Sequence, residues 1–269
     1  YDQDGDGYDD MVVGAYLWNG SASDEGRAFL FRGSADGLAW DPAWTADPAN
    51  QAARFGASVA GAGDVNADGY ADVIIGAPNW SSADAATEGR AYLYLGSAAG
   101  LGATAAWTAD PIDLAGSYFG QSVAGAGDVN DDGRGDVVVG AWGWNGEAAD
   151  EGRLAVYLGH PSGLVPEPDF EAASSGLAGA ALGWSVAGAG DLDGDGADEV
   201  VAGSYGWSGE ADGEGRAWIF RGFSCAGLDA GTPCGTCGAC DGDGACASAC
   251  DDGNSCTTAP CDTGGACSH

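Results

Sequence analysis

The chain has 269 residues, of which 41 are acidic and only 8 basic, so its formal net charge is −33. This length suits one sizeable domain with a small appendage, and the acidic excess excludes nucleic-acid binding, which needs a basic patch. No apolar run approaches the roughly 20 residues of a transmembrane helix. The chain has only two histidines, so few residues could act as the general base of a Ser-His-Asp or Cys-His catalytic site.

The first element of the chain is an acidic loop that begins at Asp2, position 1, and ends at Asp10, position 9. Carboxylates also occupy positions 3 and 5, and Gly7 at position 6 permits a sharp turn. Tyr8 at position 7 can turn its main-chain carbonyl inward, so the loop offers only oxygen donors, which Ca²⁺ prefers. An EF-hand would carry a bidentate glutamate at position 12, but this loop has Val13 there and is not an EF-hand.

The loop recurs three times, each copy starting 62, 64 or 63 residues after the one before. Chance turns do not keep ligand spacing across four copies, so we predict about four structural Ca²⁺ sites. Copies one and four carry Asp at position 3 and copies two and three carry Asn, which predicts two tighter and two weaker sites. The predicted metal ligands are Asp2, Asp4, Asp6, Tyr8, Asp10; Asp64, Asn66, Asp68, Tyr70, Asp72; Asp128, Asn130, Asp132, Arg134, Asp136; and Asp191, Asp193, Asp195, Ala197, Glu199.

A second motif, Glu-Gly-Arg, keeps the same phase at 25–27, 88–90, 151–153 and 214–216, and a short apolar strand follows each copy. Half of all the basic residues therefore stand at one repeat position. An arginine there can bridge carboxylates or loop carbonyls between neighbouring units, and a ring of anion-binding arginines is the alternative.

A tryptophan lies in the loop before each Glu-Gly-Arg motif, at Trp18, Trp80, Trp144 and Trp207. These side chains can pack between units or form aromatic platforms for a sugar or peptide, and aromatic rings suit both roles.

The stretch 55–78 joins these elements in the order Phe-Gly-x-Ser-Val-Ala-Gly-Ala-Gly-Asp, Asp-Gly, Asp, Gly-Ala-Pro. It resembles the FG-GAP repeat of integrin α-subunit β-propellers. Phe119-Gly120 also matches the first pair, and Leu182-Gly183 departs from it mildly. The resemblance implies an all-β fold, a β-propeller of four-stranded blades of about 63 residues, with the metal loop between two strands of each blade.

The repeat phase divides residues 1–222 into copies at about 1–54, 55–117, 118–181 and 182–222, or about 3.5 blades. Propellers of this family usually have seven blades, so we expect the chain to be a fragment.

Residues 223–269 form a second segment, which contains all nine cysteines and few large apolar residues. Such a segment needs cross-links, so we expect a small disulfide-rich tail in an oxidising compartment. Cys234, Cys237 and Cys240 leave an iron–sulfur or zinc site as an alternative. Residues 250–269 resemble the short Cys-rich repeats of Dictyostelium-type and myxobacterial surface proteins.

These features predict a secreted or cell-surface, calcium-binding propeller that acts in adhesion or protein binding and is not an enzyme. Its expected partner is a protein or glycan on a cell surface or matrix. A lectin that uses the repeated tryptophans and a structural spacer of a larger surface protein are the alternatives. The tripeptide Arg134-Gly135-Asp136, which many integrins bind, is expected to serve the metal loop instead.

Overall fold

The computed structural model describes residues 2–48, 50–83, 85–110, 115–174 and 176–222, together with the backbone of three short strands in the Cys-rich segment. The described residues form strands, turns and bends and contain no helix, which confirms the all-β prediction.

Four successive antiparallel sheets, blades I to IV, form part of a β-propeller. Blade III also carries a two-stranded hairpin, and three strands of the Cys-rich segment form a sheet of their own. Blade I contains β1 (Met11–Ala15), β2 (Arg27–Phe31) and β3 (Trp44–Ala46); blade II contains β4 (Ser58–Gly63), β5 (Asp72–Ala77), β6 (Arg90–Tyr94) and β7 (Trp107–Ala109); blade III contains β8 (Ser122–Gly127), β9 (Asp136–Ala141), β10 (Arg153–Tyr157) and β13 (Phe170–Ala173), with β11 (Gly159–His160) and β12 (Gly163–Leu164) as its hairpin; blade IV contains β14 (Leu182–Gly190), β15 (Glu199–Ser204) and β16 (Arg216–Phe220); and the last sheet contains β17 (Pro233–Cys234), β18 (Gly238–Cys240) and β19 (Cys246–Ser248).

The predicted disulfides lie outside the described residues, because the side chains of the Cys-rich segment are not among them.

The second strand of each complete blade is buried on both faces. Every residue of β5 and β9 is buried, in keeping with their Val- and Ile-rich sequences. Ile75 contributes to a core shared with blade I, and the adjacent Ile74 contributes to a core shared with blade III. Because successive side chains of a strand point to opposite faces, one short strand supplies two inter-blade cores. The core of this protein therefore lies between its blades.

The glycines of the repeat motif mark the places where neighbouring backbones meet. A Cβ atom on Gly76, in the Gly-Ala-Pro of blade II, would overlap the carbonyl oxygen of Gly120, in the Phe-Gly of blade III. In the same way, a Cβ atom on Gly14 would overlap the carbonyl oxygen of Gly56, and one on Gly140 would overlap that of Gly183. The two halves of the motif are thus the two sides of one inter-blade contact, and glycine is required because backbone lies against backbone.

The aromatic residue of the motif anchors each blade to the one before it. Phe55 is fully buried, and its N–H donates to the carbonyl of Glu25 in blade I over 3.0 Å. Phe119 makes the same hydrogen bond to Glu88. Leu182 replaces the aromatic ring in blade IV, stays 1% exposed and donates to Glu151 over 3.1 Å. An apolar side chain of this size is enough to keep the contact.

Replacing Gly76 by alanine is expected to destabilise the protein by about 3 kcal/mol, because the neighbouring backbone cannot move away without separating two blades. Gly203, its counterpart in blade IV, is the matched control, since an added Cβ would meet mainly the Ser185 Oγ atom at 2.8 Å, which can rotate. Chemical denaturation of both variants tests this. Equal losses of stability would contradict the proposed backbone contact.

Candidate metal loops

Loops two, three and four each connect the first strand of a blade to the second. Loop one leads into β1, which corresponds to the second strand of the other blades, so all four loops lie at the same end of the strands. Loop two, for example, leaves β4 after Gly63 and enters β5 at Asp72. The loops are loop one (residues 2–10), loop two (64–72), loop three (128–136) and loop four (191–199).

The carboxylate at position 1 organises the turn of each loop by accepting main-chain hydrogen bonds. In loop two, Asp64 Oδ1 accepts from the Asp68 N–H at 3.0 Å and Oδ2 from the Gly69 N–H at 2.8 Å. The glycine at position 6 has a positive φ in all four loops, between 83° and 102°, which glycine adopts without steric cost. The equivalent donors to Asp2, Asp128 and Asp191 are Gly7, Gly133 and Gly196.

The carboxylate at position 5 accepts the N–H of position 7 in every loop. The donors are Tyr8, Tyr70, Arg134 and Ala197, at 2.9–3.0 Å from Asp6, Asp68, Asp132 and Asp195. Position 7 thus takes part through its main chain whatever its side chain, which explains why Tyr, Arg and Ala are all accepted there. Coordination of a cation by its carbonyl remains a prediction.

The carboxylate at position 9 is buried and joins the loop to the end of the third strand. Asp72 is fully buried, and its two oxygens accept the N–H groups of Val65 at 2.9 Å and Gly96 at 2.7 Å. Burial raises the pKa of Asp72 to about 6, against the two hydrogen bonds, and raises the pKa of Asp136 well above its usual value. The charged form is therefore costly in these places, and a bound cation would stabilise it.

Loops one and four bring three carboxylates close together. Ligand oxygens of Asp2, Asp4 and Asp6 all lie within 4.8 Å of one another, and so do those of Asp191, Asp193 and Glu199. Asp10 and Asp195, the remaining predicted carboxylates of these loops, lie outside those two groups.

In loops two and three, where position 3 is asparagine, the carboxylates do not form such a group among the described residues. There the amides of Asn66 and Asn130 donate to the position-5 carboxylates, at 3.0 and 3.2 Å.

Three predicted ligand atoms are buried without any hydrogen-bond partner among the described residues. They are Asp4 Oδ1, Asn130 Oδ1 and Glu199 Oε1. A buried oxygen of this kind costs free energy unless it is paired. Since all three are acceptors at positions 3 or 9 of an acidic loop, a hard cation is the partner that fits them. These residues therefore fit a bound Ca²⁺ ion.

Successive loops are also hydrogen-bonded to each other, a connection that could not be predicted from the sequence. The position-1 carbonyl of one loop accepts the position-8 N–H of the next. The three bonds run from Ala71 to Asp2, from Gly135 to Asp64 and from Asp198 to Asp128, at 3.2, 2.9 and 2.8 Å. The four loops therefore form one connected row along the propeller.

The repeated tryptophan and arginine residues belong to one structural unit within each blade. Arg90 lies over the ring of Trp80, 3.5 Å from its centroid, and pairs with Asp110 beyond the fourth strand. Arg27 and Arg153 lie over Trp18 and Trp144 and pair with Asp47 and Glu171. The bridge expected between units is therefore a bridge inside a blade, because the arginine begins the third strand and the acid lies in or just after the neighbouring fourth strand.

The Arg-Gly-Asp tripeptide is part of loop three. Asp136 is fully buried and Arg134 pairs with Asp132 at 3.2 Å. Both charged side chains of the tripeptide are thus used inside the loop.

Two family models match the chain, an FG-GAP repeat over residues 55–94 and an FG-GAP-like repeat over residues 128–202. Both regions contain a complete acidic loop and the strand that follows it. The chain therefore contains FG-GAP repeats.

The FG-GAP chain is also similar to integrin alpha subunits. Integrin alpha-IIb of Mus musculus is 34% identical over 166 residues, which is 60% of this chain and 15% of the relative. Integrin alpha-4 of Xenopus laevis is 35% identical over 56% of this chain and 14% of the relative, and integrin alpha-7 of Homo sapiens is 34% identical over 56% and 12%. The match thus spans about one seventh of the length of these relatives. No helix in the described ranges is long and apolar enough to cross a membrane.

Replacing Ala67 by glycine is expected to stabilise loop two by about 0.5–1 kcal/mol, because Ala67 at position 4 holds a φ of 58°. Loops one and four already have glycine there, at Gly5 and Gly194. Ala71→Gly is the control, since its φ is not positive and glycine should destabilise it. Thermal unfolding of both variants tests this, and a loss of stability in Ala67→Gly would show that the turn is not strained.

Proposed function

We propose that this FG-GAP propeller is a calcium-stabilised binding module of a secreted or cell-surface protein, acting in adhesion or protein binding. Its Ca²⁺ ions are held by the four acidic loops, with ligands at positions 1, 3, 5, 7 and 9 of each. The proposal is supported by the similarity to integrin alpha subunits over 60% of the chain.

The observation that carries the calcium assignment is the set of unpaired, buried oxygens at the predicted ligand positions. Asp4 and Glu199, whose Oδ1 and Oε1 atoms have no hydrogen-bond partner among the described residues, each belong to a group of three carboxylates with ligand atoms within 4.8 Å of one another. Asn130 contributes a neutral oxygen at the same phase in loop three. Carboxylate, amide and carbonyl oxygens with no nitrogen or sulfur donor suit Ca²⁺ better than a transition metal.

A row of aromatic side chains at the opposite end of the strands is the surface we assign to the partner. Tyr118 stacks on Trp142 with centroids 4.7 Å apart, Trp142 meets Trp184 at 5.4 Å, and Trp184 meets Tyr205 at 4.7 Å. Trp184 and Tyr205 are 42% and 55% exposed. Exposed aromatic rings held rigidly by their neighbours are typical of protein-binding surfaces.

The lectin alternative receives less support, because the tryptophans on which it was based already carry an arginine on one face of the ring. We infer a binding role without catalysis. His160 is exposed at the end of β11, where its Nδ1 atom lies 2.8 Å from Ser162 Oγ. The acidic residues that recur at fixed repeat positions belong to the loops.

Millimolar Ca²⁺ is expected to raise the melting temperature of the full chain by about 5–10 °C over a chelator-treated sample. A ligand that binds only the folded state stabilises it by about 2.7 kcal/mol at one hundred times its Kd. Asp64→Asn with Asp68→Asn should lose part of this shift, and Asp36→Asn, on an exposed turn outside the loops, should keep it. Equal melting with calcium and chelator would reject the calcium assignment.

The partner surface can be tested by surface plasmon resonance of the full chain against panels of extracellular-matrix proteins and glycans. Trp184→Ala with Tyr205→Ala should weaken binding to a matrix protein at least tenfold, since two aromatic anchors are removed. Trp40→Ala, which alters a 97% exposed ring outside the row, should not. Binding to glycans alone would favour the lectin alternative, and unchanged binding by the double variant would exclude this surface.

A further inference from the structure

Two repeat positions differ together between the blades. Position 3 of the loop is Asp in copies one and four and Asn in copies two and three. The residue directly after the third strand is Arg in copies one and four and Leu in copies two and three. The four pairs, in chain order, are Asp4 with Arg32, Asn66 with Leu95, Asn130 with Leu158, and Asp193 with Arg221.

The structure places these two positions next to each other in the blades that carry charge. Arg32 Nε lies 3.1 Å from Asp4 Oδ2, and Arg221 Nη1 lies 3.1 Å from Asp193 Oδ2. The third strand ends against its own loop because the following glycine, Gly33 in blade I, donates its N–H to Asp10 Oδ1 at 2.8 Å. In blades II and III, the leucines pack against the inter-blade cores instead.

The pair in blade I leaves one carboxylate oxygen for a cation. The Asp4 side chain is only 6% exposed, and while its Oδ2 atom faces Arg32, its Oδ1 atom has no hydrogen-bond partner among the described residues. In loop four the unpaired, buried acceptor is Glu199 Oε1, from position 9 of the same carboxylate group as Asp193. In each of these loops, therefore, an arginine pairs with the position-3 carboxylate, and one buried carboxylate oxygen remains available to a cation.

We propose that Arg32 and Arg221 are built-in counter-cations that set the calcium affinity of loops one and four. This inference rests on the calcium-binding function proposed above. Each arginine offsets the extra carboxylate of its loop, stabilises the loop when calcium is scarce and lowers its affinity for the ion. Loops one and four, despite their extra carboxylate, then bind calcium no more tightly than loop two, which reverses the ranking predicted from the carboxylate count alone.

The size of the effect follows from Coulomb's law. A guanidinium within about 6 Å of a divalent ion weakens its binding by roughly tenfold even at the dielectric constant of water, and salt reduces this somewhat. Loop three has an arginine of a different origin, since Arg134 comes from position 7 and pairs with Asp132. The effect of an arginine after the third strand on calcium affinity is therefore best measured in loops one and four.

The test is calorimetric titration of calcium into the full, chelator-stripped chain and its variants. Arg32→Leu installs the residue that blades II and III carry, and should tighten one site by roughly three- to tenfold. It should also lower the melting temperature in chelator while enlarging the rise that calcium produces. Arg221→Leu should do the same for a second site, with a smaller change because Arg221 is 79% exposed.

Three controls keep the outcomes separate. Arg54→Leu removes the same charge from an exposed position just before Phe55, away from the loops, and should leave the titration unchanged. Arg32→Gln removes the charge with a smaller change of shape and replaces Arg32→Leu if that variant fails to fold. Asp4→Asn with Arg32→Leu rebuilds the arrangement of loop two and should reverse the tightening.

Unchanged or weaker calcium binding by folded Arg32→Leu or Arg32→Gln would overturn the inference while leaving the proposed function intact. A wild-type chain that binds no calcium would instead reject the proposed function itself.

Discussion

The structure depends on one buried carboxylate in each blade. At position 9 of the loop, an acid that is at most 7% exposed accepts the N–H of position 2, and in blades I to III also the N–H of the glycine after the third strand. In this way Asp72 fastens loop two to both β5 and β6. Burial raises the pKa of Asp72 to about 6, so its charged form is costly even with two hydrogen bonds. The same residue therefore supports the fold and would be stabilised in its charged form by the calcium ion proposed above.

This constraint connects the metal loops to the packing of the blades. In blade II, β5 begins at the buried acid Asp72 and, at its far end, contains Gly76, the glycine that meets the next blade. At one end the loops are hydrogen-bonded in a row, and at the other end the glycine backbones touch. The aromatic row from Tyr118 to Tyr205 lies beyond those glycine contacts. Rigid loops at one end would hold the aromatic surface steady at the other.

Much of this could be predicted from the sequence because the repeat displays it four times. The strand after each Glu-Gly-Arg motif was predicted from the repeated pattern, and the all-β propeller fold was implied by the resemblance to FG-GAP repeats. The partners of charged groups could not be predicted, since they depend on which strand ends are neighbours. The pairing of Arg90 with Asp110 inside a blade is one case. Alignment of the four copies shows that position 3 and the residue after the third strand change together. Only the fold shows that Asp4 and Arg32, which occupy these positions in copy one, are in contact.

The most direct test of the account is hydrogen exchange at the Val65 and Gly96 amides of the full chain, with millimolar calcium and with chelator. Both amides donate to the buried Asp72 carboxylate, so they report on that group from the loop and from the third strand at once. If a cation completes the site, both should exchange markedly more slowly in calcium. Equal protection in the two samples would mean that the carboxylate needs no cation, and that the loops are acidic turns without a metal.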